Sequence, residues 1–296
     1  MNPGILYAAS AYTCWGLFPL YFRQLAAVPA TEVLVHRVVW SFVMMAALLA
    51  VRRQWAWLGP ALRSPKVLGA FAASALLLSV NWLTYIWSVT HGHVVEASLG
   101  YFINPLVNVL LGCVVLHERL RRVQWAALGL AAAGVVWLGV LAGRPPWIAL
   151  VLAASFGTYG LLRKVAVLGA VEGLALETLL LAPLAFLVLG WWTVHGGGHF
   201  PAPDLATNLW LIGVGPITAV PLLLFAAGAR RVSMTTLGLL QYIGPTLQLA
   251  IGVWLFGEPF GQARLVGFVL IWAALVVYTA DGWQVARRRR LDALPA

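Results

Sequence analysis

The sequence predicts an all-α integral membrane protein, with ten transmembrane helices arranged as two inverted five-helix repeats. Three observations carry this. The 296 residues are 62% hydrophobic and only 9% charged, against about 25% charged in a typical soluble domain. Ten apolar runs approach the roughly 20 residues that a helix needs to cross the hydrocarbon core. The two halves of the chain align on each other when shifted by 140 residues. The first observation excludes soluble enzymes, disordered chains and coiled coils. Two cysteines, Cys14 and Cys113, lie in apolar runs without C-x-x-C spacing and suggest neither a disulfide framework nor a zinc site.

The runs are read at 4–22, 31–51, 67–90, 94–116, 123–143, 146–162, 173–194, 205–228, 233–256 and 263–284. Short turns separate them, such as Ser64-Pro65, His91-Gly92 and Arg144-Pro145-Pro146. The first run follows Met1-Asn2-Pro3-Gly4, which carries no basic residue, and is expected to be an uncleaved span. It offers Tyr12, Trp15, Phe18 and Tyr21. The second carries Arg37. The third carries Asn81, Trp82, Thr84, Tyr85, Trp87 and Ser88. Of these Asn81, Thr84, Tyr85 and Ser88 share one helical face. That face either lines a polar cavity or bonds a neighbouring helix. The fourth run adds Tyr101, Asn104 and Asn108 around Pro105. The sixth adds Ser155, Thr158 and Tyr159, and the seventh adds Glu177. The ninth carries Gln241, Tyr242, Thr246 and Gln248 around Pro245. The fifth and tenth are almost free of polar groups and carry small residues such as Gly129, Gly139 and Gly267, so they are expected at the periphery, either packed on neighbours or forming a dimer surface.

Charge sets the orientation. Fifteen Lys and Arg residues fall in one set of loops, three (Arg23, Arg144 and Arg264) in the other, and Arg37 lies inside a span. By the positive-inside rule both termini are expected in the cytoplasm. The basic run Arg287 to Arg290 directly follows a span, and reads as a topology anchor on anionic lipid rather than a nucleic-acid contact.

The 140-residue shift pairs Ile103 with Ile243, Pro105 with Pro245, Gly112 with Gly252 and Glu118 with Glu258. Residues 1–143 and 144–296 then form two repeats of five spans each, the second ending in a short basic tail. An odd number of spans turns the second repeat upside down, an architecture known in secondary transporters with the substrate site near the midplane. Pro105 and Pro245 fall near the middle of their expected spans. Each removes an N–H and crowds the carbonyl four residues earlier, which points to kinked, cavity-lining segments or to ordinary proline kinks.

Charges within spans are costly and are functional hypotheses by default. Arg37 and Glu177 are repeat partners of opposite sign, but inversion separates them by about 14 Å in depth at 1.5 Å per residue. Distinct partners are therefore expected: Glu96 for Arg37 at the outer side, and Thr235, Thr236 or Arg231 for Glu177 at the inner side. These are either alternating latches or static buried pairs. Glu177 is also the candidate carrier for proton coupling. No phosphate-binding loop, dinucleotide fingerprint or nucleophile turn is present. His117-Glu118 lacks the second histidine of a zinc motif, since position 121 is Arg. No cofactor and no metal are expected.

Several segments resemble the RarD family of EamA-type drug/metabolite transporters. They include Glu32-x-x-x-His36-Arg37-x-x-Trp40-Ser41, Asn81-Trp82 with Tyr85-x-Trp87, and the run from Ser98 to Leu106. Others are Glu118-Arg119-Leu120, Tyr159-Gly160-Leu161 with Arg163-Lys164, Leu176-Glu177-Thr178-Leu179, and Gln241-Tyr242-Ile243 with Pro245. The resemblance covers nearly the whole chain. It implies a ten-helix bacterial inner-membrane protein with five-plus-five inverted repeats that effluxes small molecules, in a family described as chloramphenicol-sensitivity proteins or drug permeases and a superfamily that includes amino-acid exporters.

The expected function is a secondary transporter exporting small organic solutes, with a passive facilitator or metabolite importer as the alternative and a membrane-embedded enzyme as the reading from another class. The expected cavity residues are Trp15, Asn81, Trp82, Tyr85, Tyr101, Asn104, Tyr159, Gln241 and Tyr242. The expected gating or coupling residues are Arg37, Glu96, Glu177, Pro105 and Pro245. Substrate, ion coupling and oligomeric state are not set by the sequence.

Overall fold

A computed structural model describes residues 3–117, 120–229, 231–232 and 240–292. Every regular element among them is helical. The first expected span is two pieces, α1 (Pro3–Gly16) and α2 (Phe18–Arg23), broken at Leu17. Pro19 is the cause. It lies in the first turn of α2, where a proline costs no helical hydrogen bond. A helix continued through it would have set its ring against the carbonyl of Trp15. That carbonyl instead accepts from Gln248 Nε2 at 3.1 Å.

α3 (Ala30–Arg52) follows, then a short helix, α4 (Leu58–Leu62), in what was expected to be a plain turn. α5 (Pro65–Thr90) is capped by Ser64, whose Oγ accepts from Val67 N. α6 (Val94–Leu116) keeps Pro105 inside one continuous helix. Next come α7 (Arg122–Ala142), α8 (Trp147–Val165), α9 (Ala170–His195) and α10 (Leu205–Ala229). α11 (Ile243–Ala250) runs into a π-helical turn at Ile251–Leu255, and α12 (Gln262–Asp292) closes the described chain. Seven of these helices (α3, α5, α6, α7, α9, α10 and α12) are long and apolar enough to cross a membrane, and shorter apolar helices cover Trp147–Arg163 and Ile243–Leu255.

Pro245 departs from expectation. Tyr242 is the N-cap of α11, so Pro245 sits in a first turn rather than mid-helix. The chain breaks at Gln241-Tyr242, and a first-turn proline has no helical bond to lose. The two repeat-matched prolines therefore act differently: one is carried within α6, the other starts a helix.

Helices distant in sequence pack together. α3 packs on α9 and α10, α1 on α10 and α11, α8 on α5 and α6, α5 on α9, and α6 on α11. α7 and α12 pack chiefly on one another. Small residues permit the closest crossings. A Cβ on Gly215 would lie 2.5 Å from the backbone carbon of Trp40, which binds α10 to α3. A Cβ on Gly134 would lie 2.8 Å from the backbone oxygen of Gly267, and one on Gly267 would strike the Leu138 side chain. These two glycines of α7 and α12 therefore serve an intramolecular contact. The outward faces of the bundle are apolar, with residues such as Val140, Leu187, Val194 and Trp254 largely exposed. Such a surface is suited to lipid.

Gly134→Val should destabilise the protein by about 1–3 kcal/mol, because neither the Gly267 backbone nor its neighbours can retreat without separating α7 from α12. A lowered thermal midpoint of the purified variant in detergent checks this. A midpoint equal to that of wild type would remove the close-crossing argument.

Candidate functional site

Arg37 is nearly fully buried, at 4% exposure. α3 directs it toward α2 and α5, where three rings surround its guanidinium. The guanidinium carbon lies 4.0 Å from the Trp82 ring centroid, 5.6 Å from that of Phe22 and 5.7 Å from that of Phe18. Only the Trp82 ring is close; a desolvated cation–π contact at that range contributes about 2 kcal/mol, and the two rings near the outer limit contribute less. Losing water costs a buried cation several kcal/mol even after relaxation, so the rings offset only part of it. Arg37 Nε has no hydrogen-bond partner.

The aromatic surface continues from this cage. Tyr85 meets Phe18, Phe22 and Tyr101. Tyr101 meets Phe156, which meets Tyr159. Asn81 ties α5 to α8, donating to Leu152 O at 3.1 Å and to Ser155 Oγ at 3.0 Å, and it accepts from Tyr101 OH at 3.4 Å. The polar face expected on the third span is thus shared between a helix-bridging residue, Asn81, and residues of the aromatic surface. Tyr85 OH and Asn104 Oδ1 are buried without hydrogen-bond partners. Trp15 packs with Tyr12 and Phe225 on a neighbouring face. Tyr242 lies elsewhere. It bonds Thr279 and Gln241 and packs among residues of α6, α7 and α12.

The expected pairing of Arg37 with Glu96 is absent. Glu96 Oε1 accepts instead from Ile148 N, in the first turn of α8, at 3.2 Å. The carboxylate satisfies a helix N-terminus whose orphan N–H groups need acceptors. Two further carboxylates accept backbone amides, one at a helix start and one in a loop. Glu258 accepts from Val94 N at 2.6 Å and Val95 N at 2.7 Å, the first two amides of α6. Glu32, 2% exposed, accepts from His199 N at 2.6 Å and lies 2.8 Å from His199 Nδ1. Each joins segments more than fifty residues apart, at the end of the bundle where α3, α6 and α8 begin. Outside the spans, Asp204 accepts from Thr207 N at 2.7 Å ahead of α10, which holds its carboxyl below the usual range.

Glu177 has two partners that the sequence did not offer. Ser74 Oγ of α5 donates to its Oε1, Arg163 Nη1 of α8 lies 3.9 Å away, and Oε2 has no hydrogen-bond partner among the described residues. Thr235 and Thr236 lie outside the described residues, and Arg231 turns to Ala227 O and the Tyr7 ring. Arg163 is itself fixed by Gly169 O at 2.8 Å and by the Phe71 ring. Gly173 makes room for it, since any side chain there would run into the guanidinium. Ser74 and Gly173 were not marked by the sequence, and Arg163 was read there only as a loop cation and part of a family-like segment, because the contacts to Glu177 arise between α5, α8 and α9. Glu258 carried one signal, its match to Glu118 in the repeat.

Fold and site together define a polytopic helical membrane protein that buries charges among aromatic residues. Comparison with known proteins narrows this class. Residues 2–140 match the EamA-like transporter family. The chain is 48% identical to Protein RarD of Streptomyces exfoliatus over 97% of its own length and 91% of that protein. It is 45% identical to an uncharacterized transporter of Vibrio cholerae, over 97% and 96%. A solved chain described as "Crystal structure of protein" shares its fold, with TM-score 0.56, 20% identity and coverage of 93% and 96%. The chain belongs to the RarD family of EamA-type transporters, and is a bacterial membrane transport protein.

Glu258→Ala should lower the thermal midpoint markedly. It leaves two α6 amides without an acceptor, at about 1.5–3 kcal/mol for each charge-assisted bond. Glu258→Gln, which retains one acceptor oxygen, should lose less. Equal midpoints for Glu258→Ala and wild type would show that the cap does not hold the bundle end.

Proposed function

We propose that this transporter exports small organic solutes by alternating access across the inner membrane, with both termini in the cytoplasm. In this reading ten spans form two inverted repeats, residues 1–143 and 144–296. The seven long helices are joined as spans by α1–α2, by α8 and by the segment that ends in α11 and its π turn.

The helix-pairing pattern carries the proposal. Exchanging the halves maps α1–α2 onto α8, α3 onto α9, α5 onto α10, α6 onto α11 and α7 onto α12. Under that exchange α1·α10 becomes α8·α5, α1·α11 becomes α8·α6, and α3·α10 becomes α9·α5. The pairs α3·α9, α6·α11 and α7·α12 map onto themselves. Packing that is unchanged by exchange is what a pseudo-two-fold axis between inverted repeats produces, and such transporters bind solute at the repeat interface.

The solute cavity is then lined by Trp15, Asn81, Trp82, Tyr85, Tyr101, Asn104, Tyr159 and Gln241, while Tyr242, packed among α6, α7 and α12, stays outside it. The carboxylates Glu32, Glu96 and Glu258 tie the outer end, while Ser74, Glu177 and Arg163 tie the inner one. Opening either end requires its polar contacts to part. Pro105 and Pro245 mark where the fourth and ninth spans bend. Glu177 carries the coupled proton: its second oxygen has no partner, and its contact with Arg163 is long. No cofactor and no catalytic step enter this mechanism.

Purified protein in vesicles should show counterflow of a labelled solute, drawn from a panel of amphipathic metabolites, without chemical change. An imposed pH gradient should accelerate wild type and have little effect on Glu177→Gln. Product formation without net movement would contradict transport. A rate independent of pH in wild type would remove proton coupling and leave a facilitator.

A further inference from the structure

Arg37 lacks what a buried cation ordinarily has. The chain contains nine acidic residues. Glu32, Glu96, Glu177, Glu258, Asp204 and Asp281 are each bound to other groups, and no ion pair among the described residues includes Arg37. Its Nε has no hydrogen-bond partner, and neither has the buried Tyr85 hydroxyl. Tyr85 packs against Phe18 and Phe22, the rings that also face the guanidinium. Two buried donors without acceptors thus share one aromatic enclosure. A cation removed from water needs an anion or close hydrogen-bond acceptors, and ring faces replace these only in part.

We propose that Arg37 is the anion-binding residue of the transport site, and that the transported solutes are organic carboxylates with an apolar body. The carboxylate occupies the unfilled donor sites of Arg37 and Tyr85. The guanidinium fork matches a carboxylate in bidentate geometry. The apolar body lies against Trp82, Phe18 and Tyr101, whose ring faces accept flat or aliphatic groups. A solute bearing a positive charge is rejected by the same cation. The inference rests on the transporter reading for its site and adds the charge class of the solute to it.

The test uses purified full-length protein and two matched probe pairs, 3-phenylpropionate with 3-phenylpropanamide and octanoate with octanamide. The readout is the thermal midpoint, since binding to the folded state raises it. At least one carboxylate should raise the wild-type midpoint about 2 °C or more above its amide. Arg37→Met should lose that response and, without ligand, melt no lower than wild type, because it removes an unpaired buried charge. Arg37→Lys keeps the charge without the fork and should respond more weakly. Equal responses to acid and amide would overturn the proposal, as would a full response in Arg37→Met. Ligand-free midpoints of both variants well below wild type would assign Arg37 a structural role instead. Counterflow of a neutral solute unaffected by Arg37→Met would end this inference and spare the transporter. A carboxylate response without any vesicle transport would do the reverse.

Discussion

A bilayer offers no water to hydrogen-bond, so each polar group within the bundle must find its partner in the protein. The structure is organised around that constraint. Pro19 ends α1, and the Trp15 carbonyl there is met by Gln248 from the far half of the chain. The α6 N-terminus has no capping side chain of its own, and Glu258 supplies both oxygens across 164 and 163 residues. Glu96 and Glu32 do the same for α8 and for the loop at His199. Removing one such group strands its partner, which makes these few polar contacts more consequential than their number suggests.

The same constraint separates the two buried charges. Glu177 is held by a serine and a distant arginine, so polar partners from α5 and α8 meet its charge. Arg37 is surrounded by three ring faces and enters no ion pair among the described residues, and ring faces do not neutralise charge. Small residues supply the remaining requirement. Without a hydrophobic force between helices in lipid, close backbone approach supplies much of the attraction. Gly215 on Trp40 and Gly134 on Gly267 join helices that the connecting loops do not place together.

Much of the architecture was legible before any coordinates. The long apolar runs became the seven long helices because hydropathy is a local property. The peripheral fifth and tenth runs were recognisable from their lack of polar groups, and they pack chiefly on each other. Arg37 and Glu177 stood out because charge in an apolar run is conspicuous. Their partners did not. The expected bond from Arg37 to Glu96 placed two charges near one end and let attraction pair them. It overlooked the amides at the start of α8, which compete for the same carboxylate. The expected kink at Pro245 takes the form of a break at Gln241-Tyr242, where the proline would crowd the Gln241 carbonyl. Sequence marks a proline but not whether the helix bends through it or restarts beside it.

The sequence by itself determined that this chain belongs in a membrane, where its long helices lie, which charges fall inside apolar runs, and which family it resembles. These are consequences of composition, period and motif, all of which can be read within a few turns of helix. Only the tertiary structure decided which carboxylate caps which helix, that Arg163 and Ser74 attend Glu177, and that Arg37 sits among aromatic rings with no ion pair among the described residues. Those outcomes depend on contacts spanning tens to well over a hundred residues, where competing donors and close glycine crossings select one partner among several of like chemistry.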